Sequence, residues 1–78
     1  MDELLGTVKL VAFNYAPNGY LPCDGRLLNV HDETAIYALI GTTYGGDGLH
    51  NFALPKIEAP LQGMHYVICM RGYWPDRP

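Results

Sequence analysis

The stretch Gly41–Pro55 constrains the fold most strongly, because it holds four of the nine glycines within 15 residues. Glycine at this density marks backbone at positive φ, or backbone packed too closely against a neighbour for a Cβ atom. The stretch also carries apolar side chains of its own at Tyr44, Leu49, Phe52 and Leu54. Because these side chains do not alternate as they would in a strand, we predict a structured, self-packed loop, a type of loop that is often functional.

Seven residues are predicted to fix turns of the backbone and not to bind a ligand. Asp24-Gly25 has the composition of a hairpin turn between short strands at Tyr20–Asp24 and Arg26–Val30. Gly41 is predicted to end a helix in the left-handed conformation. We expect the fold to be determined by this set of turn residues: Asp24, Gly25, Gly41, Gly45, Gly46, Asp47 and Gly48.

The pattern of apolar residues predicts an α+β fold, a small β-rich single domain with one short helix at about residues 31–40 packed on a few short strands. Leu4–Phe13 is apolar on both faces, which favours a central strand, and His65–Tyr73 has the alternation of a second strand. In the helix, Asp32 and Glu33 are predicted to lie in the first turn, where the helix dipole favours negative charge. The apolar stripe of this helix comprises Ala35, Ile36, Leu39 and Ile40.

Composition limits the class of partner. The 78 residues suffice for one domain, the net charge is −3, and the five basic residues are scattered, so no nucleic-acid surface is expected. No apolar run approaches the roughly 20 residues that span a bilayer. The acidic start is not a secretory signal, so synthesis in the cytoplasm is expected. Charged residues make up only 17 % of the chain, which suggests that another subunit covers part of the surface.

No catalytic, cofactor-binding or metal-binding residue is predicted. A phosphate-binding loop needs a Lys-Ser/Thr pair after its last glycine, whereas Gly48 is followed by Leu49-His50. Asp47 offers the loop only one carboxylate for calcium. The histidines His31, His50 and His65 lack metal-site spacing, although a zinc site built in space or across a symmetry axis stays an alternative.

The two cysteines, Cys23 and Cys69, are interpreted as small buried apolar residues, with a single disulfide bond as the alternative. Cys23 has no base close by in the sequence, so it is not expected to be a nucleophile.

Five aromatic side chains lie in or beside predicted turns. We expect Tyr20 and Tyr44 to fill the core, and Tyr73, Trp74 and Tyr15 to form an interface, because tyrosine and tryptophan combine an apolar body with a polar tip. The alternative is a sugar-binding surface that uses Tyr15, Tyr44 or Trp74.

Six segments carry a resemblance to a known family: Gly6–Phe13, Ala16–Tyr20, Cys23–Gly25, Ala35–Gly41, Thr43–Gly48 and Phe52–Pro55. Together they resemble the phage tail collar domain, which also occurs in the microcystin-dependent-protein group of bacterial proteins. The resemblance covers roughly residues 1–57, and His65–Pro75 is similar to the final strand of the family.

The chain departs from the family pattern in length. Members usually carry a long variable insert, whereas Lys56–Gly63 leads almost directly into the last strand, so this is a short form without that insert. We therefore expect a collar-like core at residues 1–57, a connector at 58–64, and a strand and tail at 65–78 that complete the same domain.

The resemblance implies a non-enzymatic structural module of a phage tail fibre or tail-like particle, in a collar, adaptor or capping role. It implies assembly into homo-oligomers, with a trimer favoured, and contacts with other tail proteins. It implies no cofactor. The alternative function is a receptor- or carbohydrate-binding module at a fibre tip.

Overall fold

The computed structural model describes residues 3–76 and confirms a small, β-rich α+β fold. Within these residues the elements, in chain order, are β1 (Val8–Val11), β2 (Tyr20–Pro22), β3 (Leu27–Asn29), α1 (Thr34–Ile40), β4 (Asn51–Ala53) and β5 (His65–Cys69). The described chain divides into two compact units. The first contains the residues up to Pro22 and those from Ala59 onward, and the second is Cys23–Glu58.

The first unit is built on an antiparallel sheet with the strand order β1-β5-β2. β5 is the central strand, and its residues Val67, Ile68 and Cys69 are at most 1 % exposed. The prediction of a central strand at Leu4–Phe13 is wrong, because only Val8–Val11 is extended and it lies at the edge of the sheet. The preceding residues form a turn, in which the Thr7 N–H donates to the Leu4 carbonyl.

The second unit contains α1 and the two-stranded antiparallel sheet of β3 and β4. Its buried centre includes Ile36 of the helix, Phe52 of β4 and Leu54, which are at most 1 % exposed. The Tyr37 ring packs against the Phe52 ring with a centroid distance of 5.3 Å. The helix therefore buries Ile36 and contacts β4 through the Tyr37 ring.

The turn at Asp24-Gly25 does not join paired strands, so the predicted hairpin is wrong. β2 pairs with β5, β3 pairs with β4, and Asp24 forms an isolated bridge with Lys56. Both short strands thus find their partners in segments that lie far away in the sequence, and local turn chemistry carries no information about such pairing.

The helix begins at Thr34 and not at His31, and Ala35 of its predicted stripe is exposed. The Asn29 side chain accepts the His31 N–H at 2.8 Å, and the Asn29 carbonyl accepts the N–H groups of Asp32 and Glu33. These bonds form turns before the helix, so Asp32 and Glu33 precede its first turn, contrary to prediction.

The helix ends at Gly41, whose N–H donates to the Tyr37 carbonyl at 2.8 Å. The φ of 57° is positive as predicted, but the ψ of −140° lies outside the left-handed helical region, so that part of the prediction is wrong. No helix within residues 3–76 is long and apolar enough to cross a membrane.

Candidate functional site

Asp47 is the hydrogen-bonding centre of the glycine loop, which we define as residues 41–50. Its Oδ1 accepts the backbone N–H groups of Leu49 at 2.9 Å, His50 at 2.8 Å and Asn51 at 3.1 Å. These backbone donors, His50 first, hold the pKa of the Asp47 carboxyl well below its usual range. The Asp47 N–H in turn donates to the Asn51 side-chain oxygen at 3.0 Å. The carboxylate is therefore committed to the loop itself.

The glycine loop also covers the outer edge of β4. In the β3–β4 ladder the Leu54 N–H donates to the Arg26 carbonyl. Because successive residues of an antiparallel strand direct their backbone groups alternately toward and away from the partner strand, those of Asn51 and Ala53 point away from β3. The Ala53 N–H donates to the Gly45 carbonyl at 3.0 Å, and the Asn51 carbonyl accepts the Gly48 N–H at 3.0 Å. The loop thus supplies the partners that a further strand would otherwise provide.

Gly46 is the position at which the loop and β4 approach most closely. A Cβ atom added there would lie 2.5 Å from the Phe52 Cα and 2.7 Å from the Asn51 carbonyl oxygen. Its φ of +97° is also unfavourable for any residue with a side chain. The loop is further tied to the helix, because the Tyr37 hydroxyl donates to the Gly48 carbonyl at 3.1 Å. Glycine is therefore required here by both space and conformation.

The remaining predicted turn glycines, Gly25, Gly45 and Gly48, also adopt positive φ. At the first of these turns the Arg26 guanidinium binds the Asp24 carboxylate through two bonds, Nε to Oδ1 at 3.1 Å and Nη2 to Oδ2 at 3.0 Å. The Arg26 side chain is the main cause of the lowered pKa of Asp24. Asp24 is thus engaged within its own turn.

The surroundings of Cys23 disfavour a reactive thiolate. Burial, together with the negative charge of Asp24, raises the pKa of the Cys23 thiol to about 11, which makes it a poor nucleophile. Cys23 and Cys69 are both free and buried, in agreement with the prediction. No group of three or more His, Cys, Asp or Glu residues within positions 3–76 could hold a metal ion.

Three exposed apolar residues, Leu4, Tyr73 and Trp74, lie on two segments that pair with each other, and we call this set the aromatic surface. These side chains are 50 %, 62 % and 50 % exposed, respectively. Two backbone bonds join the segments that carry them, from the Leu5 N–H to the Tyr73 carbonyl at 2.7 Å and from the Tyr73 N–H to the Glu3 carbonyl at 3.1 Å. The surface therefore combines residues from two ends of the sequence on one hydrogen-bonded base.

Gly72 makes this pairing possible, and sequence reasoning missed it. A Cβ atom at this position would collide with the Glu3 carbonyl oxygen and would lie 3.0 Å from the Cys69 Sγ. Its φ is not positive, so no turn motif marks it. The only signal in the sequence was a glycine near the end of the predicted strand His65–Tyr73, directly before two aromatic residues.

The other predicted aromatic residues have different surroundings. Tyr15 is 64 % exposed and packs on Phe13 with a centroid distance of 4.7 Å, and no aromatic contact within residues 3–76 joins it to the aromatic surface. Tyr20 is buried, as predicted. Tyr44 is 52 % exposed, so its predicted place in the core is wrong. Phe52 and Leu54, from the same predicted loop, are fully buried.

These features define a small β-rich domain whose distinctive turns are committed to its own architecture. A family model described as the Phage Tail Collar Domain matches residues 6–59. The chain therefore belongs to the phage tail collar domain family, a structural domain of phage tail fibres and not an enzyme family. No curated protein is significantly similar to the chain.

Proposed function

We propose that the chain is a non-enzymatic structural and interaction module of a phage tail fibre or tail-like particle, with a collar, adaptor or capping role. The observation that carries the proposal is the aromatic surface. Tyrosine and tryptophan are enriched at protein interfaces because they bury a large apolar area and lose few rotamers. Leu4, Tyr73 and Trp74 are each at least half exposed, and a partner could bury them.

The backbone beneath the aromatic surface supports the same function. The bonds of Tyr73 to Glu3 and Leu5 join the two segments of the surface, and Gly72 lets these segments meet. The Glu3 carboxylate accepts a bond from the Lys9 ammonium at 2.7 Å, which ties this segment to β1. A partner would therefore bind side chains whose backbone is already ordered, which lowers the entropic cost of association.

The partner that we propose first is a further copy of the chain, in a trimer, followed by other proteins of the tail. Membership of a tail-fibre family supports assembly of this kind. In this proposal Tyr15 contributes to the interface, and residues 58–64 connect the collar-like core to the last strand and tail. The turn residues that include Gly25, Gly45 and Asp47 maintain the fold. Synthesis in the bacterial cytoplasm precedes assembly into the virion tail or particle.

Sedimentation equilibrium tests this proposal. The wild-type chain is expected to have three times the mass of the 8.7 kDa polypeptide, and the double variant Tyr73→Ala, Trp74→Ala is expected to be a monomer. Leu49→Ala is the matched control, since Leu49 is 73 % exposed and lies in the glycine loop. A monomeric wild type at high concentration, or an equal loss of mass in the control, would contradict the proposal.

A second candidate function is binding of a cell-surface carbohydrate at a fibre tip. It is favoured by the exposed ring pair of Tyr15 and Phe13 and by the half-exposed rings of Tyr44 and Trp74, since sugars bind to exposed aromatic faces. On a glycan array, binding that is lost in Tyr15→Ala or Trp74→Ala would support this function. If no glycan on a broad array binds, the second function is contradicted and only the structural role remains.

A further inference from the structure

The two edges of the three-stranded sheet differ in their ability to accept another strand. β2 forms one edge, and the bond from the Met70 N–H to the Gly19 carbonyl shows that Tyr20 and Pro22 direct their backbone groups away from β5. The Tyr20 N–H already donates to the Pro17 carbonyl at 3.0 Å, and Pro22 has no N–H. This edge lacks a free donor.

β1 forms the other edge, and its outward backbone groups have no strand partner within residues 3–76. The Cys69 N–H donates to the Thr7 carbonyl at 2.8 Å, so from Thr7 onward every second residue of this segment directs its backbone groups toward β5. Lys9 and Val11 therefore bond to β5, whereas Val8 and Leu10 direct an N–H and a C=O outward. The Val8 side chain is 38 % exposed, so the edge is accessible.

This edge has only part of the usual protection against strand addition, namely a short strand and one charged side chain. Natural edge strands carry a proline, a bulge or an outward lysine, and Val8–Val11 contains only Lys9 as a candidate. The Lys9 ammonium bonds to the Glu3 carboxylate at 2.7 Å and lies 4.7 Å from the centre of the Tyr20 ring on β2. The side chain thus crosses the sheet, away from the open edge, and its charge is paired.

We infer that the open edge of β1 accepts an extended segment of a different tail protein as an added β-strand. This inference rests on the proposed tail role and deepens it. Strand addition of this kind uses the backbone for affinity and alternate side chains for specificity. Val8 and Leu10 offer two donors and two acceptors, which is enough for four hydrogen bonds to a segment of three or more residues.

A further copy of the chain is a poor occupant of this edge. A three-fold assembly has no two-fold axis that could bring two β1 edges together. Among the other edges, β2 lacks a free donor, β4 is covered by the glycine loop, and the Asn29 carbonyl of β3 is already bonded to Asp32 and Glu33.

The surroundings of the edge define the chemistry of the occupant. The segment is extended and has no proline at the positions that bond to Val8 and Leu10, because each must donate an N–H. Its side chains on the side of Val8, Leu10 and the partly buried Tyr66 are apolar.

Amide hydrogen exchange, compared between the isolated chain and the assembled tail particle, tests this inference. The Val8 and Leu10 amides are expected to exchange freely in the isolated chain and about tenfold or more slowly in the particle, as for a gained backbone bond. The Lys9 and Val11 amides, which bond to β5, are protected in both states. Unchanged exchange of Val8 and Leu10 in the particle overturns the inference. Protection that grows with concentration of the isolated chain does so too, because the occupant is then a further copy.

Two proline variants separate this inference from the proposed function. Val8→Pro removes an outward donor and is expected to keep the thermal midpoint and the trimer mass while incorporation into particles falls. Lys9→Pro removes an inward bond and is expected to unfold the first unit. Incorporation of Val8→Pro into particles at the wild-type level contradicts strand addition and leaves the trimer proposal intact. A monomeric wild type contradicts the trimer, and the exchange of the Val8 and Leu10 amides then still tests strand addition independently.

Discussion

Gly46→Ala is expected to destabilise the chain severely, for two reasons that add. At a φ of +97° an alanine costs about 1–2 kcal/mol more than glycine. The new methyl group would lie 2.5 Å from the Phe52 Cα, and relief of such an overlap with backbone costs about 1–3 kcal/mol. The sum of about 2–5 kcal/mol compares with a total free energy of unfolding of roughly 4–12 kcal/mol for a chain of this length.

Urea unfolding followed by far-ultraviolet circular dichroism measures this loss, and Gly63→Ala is the matched control. Gly63 also has a positive φ, 85°, but no atom lies within 4 Å of an added Cβ. The control is therefore expected to lose only the conformational part, about 1–2 kcal/mol. Equal losses in the two variants, or a Gly46→Ala chain as stable as the wild type, would refute the steric argument.

Three further predictions concern other parts of the structure. Asp47→Asn is expected to lower the thermal midpoint at pH 7. Because folding lowers the Asp47 pKa below its unfolded value of 3.8, the charge stabilises the chain fully above about pH 5, and this stabilisation is lost as the pH falls further. The difference in thermal midpoint between wild type and variant should therefore narrow from about pH 5 to pH 2, and a constant difference would count against the prediction. Cys23 and Cys69 are expected to react with a thiol reagent at pH 8 only after unfolding in urea, and rapid labelling of the folded chain would contradict their burial. Gly72→Ala is expected to lower the thermal midpoint and to speed amide exchange at Leu5 and Tyr73, because the methyl group collides with the Glu3 carbonyl; unchanged exchange would show that the two segments do not need this close approach.

Local features of the fold were predictable because their causes lie close together in the sequence. The alternation in His65–Tyr73 indicated a strand, and β5 (His65–Cys69) lies within it. Pro22 indicated an edge strand, because proline cannot donate to a neighbouring strand, and β2 is an edge. The helix end at Gly41 was also predicted, although the Asn29 side chain and carbonyl moved its start to Thr34.

Pairing between distant segments was not predictable. Leu4–Phe13 is apolar enough for a central strand, but β5 takes the centre because β1 and β2 both pair with it. The role of Gly72 depends on the approach of Glu3, which lies at the other end of the chain. Likewise, the glycine content predicted a structured loop at residues 41–50, but it did not indicate that this loop covers the edge of β4.

The aromatic surface is predicted to be an assembly contact in a tail particle. Hydroxyl-radical footprinting of the free chain and of the assembled particle tests it directly. Tyr73 and Trp74 are predicted to react readily in the free chain and to be protected in the particle, with Tyr44, which is exposed to a similar extent, as the internal reference. Equal reactivity of Tyr73 and Trp74 in both states, or protection no greater than that of Tyr44, would contradict the claim.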